Sequence, residues 1–215
     1  MRTDVWQVLH DDLSPGVQPD QETYAVPFGD RTILLPIRAL SDGQRGVASL
    51  ILNQASFAVL DAIADALAEK FTRHAPDVIV AVPTLGLPLA EAVARRLGHR
   101  RLVPLSNSRK FWYDDALSVD MSSITSPGAG KRLYLDPRML PLLDARVAVI
   151  DDVLSTGSSI ASVLRLLALR GVTPVAIGAA MLQGEVWAAQ VGDRPVEAAV
   201  RTPILQRSGE GWVQP

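Results

Sequence analysis

The 215-residue sequence contains no cysteine, which excludes disulfide bonds and thiolate metal sites. It also lacks an excess of basic residues, because 21 Lys and Arg stand against 23 Asp and Glu, for a net charge of −2. Such a chain has no overall attraction for nucleic acid or anionic lipid, so any phosphate-binding surface must be local. We therefore expect neither a nucleic acid nor a membrane as a partner.

Long apolar runs are missing as well. No stretch approaches the ~18 apolar residues of a membrane-spanning helix, and the N-terminus has no apolar core of signal-peptide length. We expect a cytoplasmic protein. The three histidines, His10, His74 and His99, are far apart without ligand-like spacing, which favours surface positions over metal ligation.

What is present is an alternation of apolar strands and amphipathic helices in a chain that is 48% hydrophobic. We predict strands at 31–37, 77–82, 100–105, 131–137, 146–153 and 173–182, helices at about 46–71, 89–97 and 156–170, and a less regular tail from Gln183. Strands that are apolar on both faces and alternate with helices indicate an α/β fold with a parallel sheet flanked by helices. We expect one domain over 1–215, since no repeat or low-complexity linker interrupts the chain.

Two predicted strands end in polar turns that should share one edge of the sheet. In such sheets ligands bind outside the carboxyl ends of the strands, which here are residues 151–159 and 83–88. The first turn follows the segment VAVIDDVLSTGSSI, in which an apolar strand runs into two acids and then into hydroxyls and a glycine. Backbone N–H groups in a tight turn at a helix N-terminus bind anions, and the hydroxyls of this turn add further donors.

The hydroxyl groups alone have a simpler interpretation, in which one of them caps the following helix. Capping requires one hydroxyl rather than four, and it does not require Asp151 and Asp152. Two carboxylates would repel a phosphate unless a cation or a polyhydroxylated group lay between. A ribose 5-phosphate satisfies both parts of the turn, with its phosphate in the hydroxyl loop and its diol on the acids.

The segment VAVIDDVLSTGSS resembles the phosphoribosyl-pyrophosphate-binding motif of the type I phosphoribosyltransferases. The layout over about residues 30–183 is similar to the adenine phosphoribosyltransferase group. VPTLGLPLAEAVARRLG resembles the pyrophosphate loop and helix of that family, and SRKF the Arg-Lys segment that enters its flexible lid, here about 106–132. The resemblance implies a Rossmann-like core with a small hood from the chain ends, at about 1–29 and 184–215.

The resemblance also implies a function, which is transfer of a phosphoribosyl group from phosphoribosyl pyrophosphate to a nucleobase with Mg²⁺ as cofactor, by a homodimer. It implies that the catalytic residues are Asp151, Asp152, Arg109 and Lys110. The residues that the resemblance implies for binding the donor are Asp151, Asp152, Ser155, Thr156, Gly157, Ser158, Ser159, Thr84, Leu85 and Gly86. By the same resemblance, Asp151 and Asp152 hold the metal indirectly. Ordinary surface or turn positions stay open as the alternative for residues 84–86, Arg109 and Lys110.

The acceptor base is the least determined part of the prediction. Leu85 stands where adenine-specific relatives often carry Arg, and Ser158 and Ser159 stand where many relatives have Gly and Thr. The acids of residues 106–132 favour a neutral purine over orotate, but an orotate-type transferase and a regulator that senses the donor remain alternatives. Three alternatives stay open for the aromatic residues 111–113, Phe-Trp-Tyr: packing in a closed lid, stacking on a base, and burial against the core. Trp187 is a candidate for the hood that covers the base.

Overall fold

The structure is a computed structural model that describes residues 4–121 and 132–215. In chain order its strands and helices are β1 (Leu9–His10), β2 (Gly16–Val17), β3 (Thr23–Phe28), β4 (Arg31–Ala39), β5 (Arg45–Ala48), α1 (Phe57–Phe71), β6 (Val78–Ala81), α2 (Gly86–Arg96), β7 (Val103–Pro104), β8 (Ser118–Asp120), β9 (Arg132–Tyr134), β10 (Val147–Leu154), α3 (Ser158–Ala168), β11 (Ala176–Gln183), α4 (Ala188–Val191), β12 (Val196–Thr202), β13 (Ile204–Ser208) and β14 (Gly211–Val213). Short 3₁₀ helices occupy Leu52–Gln54, Thr72–His74, Asp115–Leu117 and Pro137–Leu142.

The central sheet has the strand order β12-β11-β10-β6-β7, and each neighbouring pair is parallel. Successive side chains of a strand point to opposite faces, and both faces of this sheet are apolar. Ala148 and Ile150 pack into one core cluster with α1 and α2, while Val147 and Val149 pack into a second cluster with α3. The predicted parallel sheet flanked by helices is confirmed.

A second, antiparallel sheet combines both ends of the chain. Its order is β14-β13-β5-β4-β3-β2, with β1 paired to β4. Side chains also link the β2–β3 region to the region of β14, because Gln21 Oε1 accepts a hydrogen bond from the Trp212 N–H at 2.8 Å and Gln214 Nε2 donates to the Tyr24 hydroxyl at 3.2 Å. The N- and C-terminal segments therefore fold as one layer beside the parallel sheet.

The less regular tail expected from Gln183 is wrong. Strand β12 lies in the parallel sheet beside β11, with Gln183 opposite Thr202, so this part of the segment assigned to a hood belongs to the core. Strands β13 and β14 continue into the antiparallel sheet. Segment 196–202 carries two charged residues, Glu197 and Arg201, and has no regular alternation, and β11 on one side supplies the pairing that orders it.

The predicted helix over 46–71 is wrong in its first eleven residues. Residues 45–48 form β5, which pairs with β4 and with the distant strand β13, and helix α1 begins only at Phe57. The indole of Trp212 packs where a Cβ on Gly46 would lie, at 2.8 Å. Ser56 is the N-cap of α1, because its hydroxyl accepts a hydrogen bond from the Val59 N–H.

The third predicted helix, over 156–170, is observed as α3 at 158–168. Gly171 ends it as expected from sequence. Its φ is +67°, its N–H donates to the Ala168 carbonyl at 3.0 Å, and the Val172 N–H donates to the Leu167 carbonyl at 3.1 Å. The start of the helix at residue 158 leaves residues 155–157 free to form a separate turn.

The histidines are partly buried rather than surface residues. His74 Nε2 lies 2.7 Å from Glu197 Oε1, and His99 Nε2 lies 2.8 Å from the Pro76 carbonyl oxygen. Within residues 4–121 and 132–215, no three His, Asp or Glu side chains gather as metal ligands would. Over the same ranges, no helix combines the length and the apolar character needed to cross a bilayer.

The segment expected to form a lid, 106–132, is described only in part. Residues 118–120 form β8, which pairs with β9 at 132–134, and Leu117 is buried in the core cluster around α3. Residues 122–131, which are ten of the 27 positions of the predicted lid, lie outside the described residues.

Candidate functional site

The two acids of the apolar-to-polar turn lie near the carboxyl end of the central strand β10. Asp151 is buried, with 4% of its surface exposed, whereas Asp152 is half-buried. The backbone N–H of Asp152 donates to Asp151 Oδ1 at 2.8 Å. Successive side chains alternate across the sheet, so the two carboxyl groups leave the strand in different directions while remaining neighbours.

The two acids differ in their electrostatic surroundings because Asp151 is the more buried of the two. Burial, and after it the adjacent charge of Asp152, raises the pKa of Asp151 well above its usual range. Asp152 is the more accessible of the two and is the one that can meet a ligand. A carboxylate at this edge can accept hydrogen bonds from two neighbouring hydroxyl groups, such as those of a ribose diol.

The second predicted turn, residues 83–88, is in direct contact with Asp151. Strand β6 runs parallel to β10, and the Val82 N–H donates to the Ile150 carbonyl at 3.0 Å, which brings the turn beside Asp151. A Cβ placed on Gly86 would lie 2.9 Å from Asp151 Cα and 3.1 Å from its Oδ1. The structure therefore brings together two sequence segments that lie 65 positions apart.

The turn itself presents polar backbone and one hydroxyl at the edge of the sheet. The Pro83–Thr84 peptide bond is cis, and the Thr84 side chain is exposed, whereas Gly86 is buried and begins α2. Leu85, the N-cap residue of α2, offers no side-chain acceptor to the helix. The first N–H groups of α2 thus point toward the edge where an anion can bind.

The hydroxyl loop, residues 155–159, connects β10 to α3. Its N-cap residue is Gly157, at φ +79°, and no side chain caps the helix. The Thr156 hydroxyl instead lies 3.0 Å from the Ser158 hydroxyl, while Ser155 and Ser159 are half-buried beside it. The Thr156 hydroxyl accepts a long hydrogen bond, 3.4 Å, from the Ser158 N–H at the start of α3, so capping accounts for this one hydroxyl. The loop still presents backbone N–H groups and its other hydroxyls to an anion.

Arg109 and Lys110 follow β7, the edge strand next to β6. Both are exposed, and Arg109 Nε donates to Asp115 Oδ1 at 2.8 Å. This hydrogen bond, with the charge of Asp115, raises the pKa of Arg109 above its usual value. Among the described residues, neither side chain is bonded to the acids or to residues 83–86, so the structure places them at the same edge of the sheet without joining them to the pair.

The aromatic residues that follow form a ladder on the surface. Phe111 is 90% exposed, Trp112 is 42% exposed, and their rings meet edge to face at 4.8 Å. Trp112 Nε1 donates to Asp136 Oδ2 at 3.2 Å, and the Arg138 guanidinium lies 4.8 Å from the Trp112 ring. Burial against the core, one of the three alternatives from sequence, therefore does not apply to Phe111.

Sequence reasoning missed the contact that Trp187 and Gln190 make with the hydroxyl loop. Trp187, expected to cover a base, is buried with 6% of its surface exposed, and its Nε1 donates to the Gly184 carbonyl at 2.9 Å. Its Cα and the side chain of Gln190 pack against Gly157. No local pattern signals this contact, because the two segments are more than 25 positions apart in sequence.

Known proteins resemble this chain over the same segments. Residues 50–195 match the family model of the phosphoribosyl transferase domain. The adenine phosphoribosyltransferase of Roseiflexus sp. (strain RS-1) is 30% identical over 128 residues, which are 59% of this chain and 69% of that protein. The transcriptional regulator GfcR of Halobacterium salinarum is 29% identical over 144 residues, 66% of this chain and 61% of the regulator.

Solved structures agree with this result at the level of the fold. The adenine phosphoribosyltransferase of Giardia lamblia, complexed with 9-deazaadenine, is 20% identical, has a TM-score of 0.59 and covers 73% of this chain and 86% of its own. The family match spans β6, β10 and both turns of the site, and so it contains the paired acids, the hydroxyl loop and residues 83–86. The chain therefore belongs to the phosphoribosyl transferase domain family.

Proposed function

We propose that the protein transfers the phosphoribosyl group of phosphoribosyl pyrophosphate to a neutral purine base such as adenine, and releases a nucleoside monophosphate and pyrophosphate. In this reaction a ring nitrogen of the base forms a bond to the anomeric carbon while the bond from that carbon to the pyrophosphate oxygen breaks. The homodimer implied by the family resemblance is part of the proposal, and light scattering would give twice the mass of the chain.

One observation carries the proposal, namely the contact between Gly86 and Asp151. It joins the turn suited to a pyrophosphate with the acids suited to a ribose, and the hydroxyl loop follows those acids in the same strand-to-helix connection. A donor with a phosphate at one end and a pyrophosphate at the other needs two anion sites with a diol-binding group between them. The three segments supply these parts in the required order.

The roles of individual residues follow from their positions. Residues 155–159 bind the 5-phosphate through backbone N–H groups and hydroxyls, and Asp152 accepts hydrogen bonds from the ribose hydroxyls. Residues 84–86 bind the pyrophosphate, and Arg109 and Lys110 neutralise its charge as it leaves. Positive charge develops on the sugar ring in an oxocarbenium-like transition state, so a carboxylate fixed near the ring stabilises that state.

The donor set also fits Mg²⁺. This cation prefers oxygen ligands and commonly binds through one or two carboxylates together with phosphate oxygens of the substrate. Asp151 and Asp152 are the two carboxylates at this edge, and a bound donor would add its pyrophosphate and hydroxyl oxygens. When bound, Mg²⁺ would neutralise the charge of the leaving pyrophosphate.

The test is a panel of bases offered with phosphoribosyl pyrophosphate and Mg²⁺, with pyrophosphate release as the readout. Adenine, hypoxanthine, guanine and orotate separate the purine assignment from the orotate alternative. We expect release with at least one purine and none with orotate. Release with orotate alone would contradict the acceptor class while leaving the donor assignment intact.

A regulator that senses the donor is the second candidate, favoured by the similarity to GfcR. Calorimetry combined with the pyrophosphate assay distinguishes it from the enzyme, because a sensor binds phosphoribosyl pyrophosphate but releases no pyrophosphate with any base. The near-neutral composition of the chain favours the enzyme, since a DNA-binding regulator requires a basic surface.

A further inference from the structure

The connection between β11 and β12 links the end of the sheet to the underside of the hydroxyl loop. It leaves β11 at Gly184, whose N–H donates to the Thr202 carbonyl at 2.9 Å. The buried indole of Trp187 then donates back to the Gly184 carbonyl at 2.9 Å. The Gln190 N–H donates to the Trp187 carbonyl, also at 2.9 Å, so the short helix α4 is fixed to the sheet at its start.

This connection packs against Gly157 without a gap. A Cβ on Gly157 would lie 2.7 Å from Gln190 Cγ, 2.9 Å from Gln190 Cβ and 3.0 Å from Trp187 Cα. Gly157 also has a φ of +79°, a left-handed conformation that other residues adopt at a cost. The contact and the backbone conformation together make glycine the residue that fits at this position.

The hydroxyl loop has few other constraints on its conformation. The N-cap residue of α3, Gly157, has no side chain that could cap the helix. Among the described residues, the Thr156 hydroxyl contacts only Ser158: it lies 3.0 Å from the Ser158 hydroxyl and accepts a hydrogen bond from the Ser158 N–H at 3.4 Å. An anion-binding turn needs its N–H groups oriented before the anion arrives, because ordering a loop on binding reduces affinity. Packing from α4 can supply this orientation where a capping side chain does not.

We propose that Gln190 and Trp187 are positioning residues for the hydroxyl loop and hold Gly157 in its left-handed conformation. They act through the loop and do not touch the donor. The proposal deepens the proposed function, on which its kinetic test depends. Gln190 acts through its Cβ and Cγ methylene groups, since these are the atoms that meet Gly157, and its amide group is not required.

The experiment compares three substitutions of Gln190, which is exposed overall and so has little influence on folding. Gln190→Met keeps Cβ and Cγ, Gln190→Ala removes Cγ, and Gln190→Ser replaces Cγ with a hydroxyl oxygen and should lie between the other two. Asp193→Ala, an exposed position of the same connection, is the control. A melting curve for each variant establishes that the fold is retained.

In steady-state kinetics, Gln190→Ala should raise KM for phosphoribosyl pyrophosphate by about five- to tenfold, with kcat and KM for the base within about twofold of wild type. Gln190→Met and Asp193→Ala should match wild type. A general loss of stability would not produce this split between the two substrates. If Gln190→Met behaved like Gln190→Ala, the amide would be acting directly and the packing account would be wrong.

A second readout needs no donor. In the free protein, amide hydrogens of residues 155–160 should exchange faster in Gln190→Ala than in wild type, by about fivefold, and at the wild-type rate in Gln190→Met. This comparison remains decisive if the protein transfers no phosphoribosyl group, so failure of the proposed function is recognised separately. Wild-type exchange in the alanine variant would overturn the positioning role.

Discussion

Gly86 and Asp151 touch, and no other residue fits at position 86 without displacing the backbone of the acid. The distance from a Cβ at 86 to Asp151 Cα would be 2.9 Å, shorter than real Cβ contacts. The contact joins the two turns of the site across neighbouring parallel strands. It means that the position of the buried acid depends on the turn after β6 as well as on its own strand.

Gly86→Ala should therefore impair the site and cost stability. The added methyl group is forced against the Asp151 backbone, and overpacking of this kind costs about 1–3 kcal/mol. We expect kcat/KM to fall by at least about tenfold, measured alongside urea unfolding. Gly98→Ala is the matched control, because Gly98 has a φ of +76° with open space around it, so that variant should lose about 1 kcal/mol of stability and keep its activity.

Asp152→Asn should lower turnover by at least about tenfold, the effect of losing one transition-state contact worth about 1.4 kcal/mol. The half-buried side chain tolerates an amide of the same shape, so the melting temperature should stay near that of wild type. Pyrophosphate release under saturating donor and base is the measurement. Asp30→Asn, at an exposed acid in the turn between β3 and β4, is the control. Wild-type turnover in Asp152→Asn would contradict the ribose assignment.

Thr156→Val should weaken donor binding by about 1–3 kcal/mol, because it removes a hydroxyl donor to a charged phosphate oxygen. Thr156→Ser keeps the hydroxyl and should bind nearly as well as wild type. Calorimetric titration with phosphoribosyl pyrophosphate compares the three proteins directly. The Thr156 assignment is lost if valine and serine at this position bind the donor equally well.

Glu197 makes the free energy of unfolding depend on pH, and this effect does not involve the candidate site. Burial raises the pKa of Glu197, but hydrogen bonds from Arg73 and His74 outweigh it and leave the pKa below its usual value. A lowered pKa in the folded state means that the ionised group stabilises the fold at neutral pH. That stabilisation is lost as the pH falls through the folded-state pKa.

Glu197→Gln should accordingly lower the free energy of unfolding at pH 7 by about 1 kcal/mol, a modest value because Arg73 is largely exposed. The difference from wild type should shrink as the pH falls below about 4. Urea unfolding at several pH values measures it. Glu69→Gln, a change at an exposed acid of α1, is the control and should differ little from wild type in the free energy of unfolding at every pH. If the difference between Glu197→Gln and wild type stayed constant down to pH 3, the stabilisation would not come from the ionised carboxylate.

The sequence alone was sufficient for four strands of the parallel core, β6, β7, β10 and β11, and for the two turns at its edge. The apolar run before Asp151 and Asp152 is buried on both faces, and this pattern is local to a single strand. Gly171 likewise ends α3 by a conformation that its own backbone prefers. Such features depend on neighbouring residues, so they can be predicted from a short window.

Tertiary structure decided the features that depend on distant partners. Residues 45–48 form a strand because β13, about 160 positions later, pairs with them, and residues 196–202 join the sheet because β11 is their neighbour. Gln190 meets Gly157, and Gly86 meets Asp151, through contacts that no local pattern records. The physical reason is that strand pairing and close packing are interactions between surfaces, and the fold, not the sequence window, determines which surfaces meet.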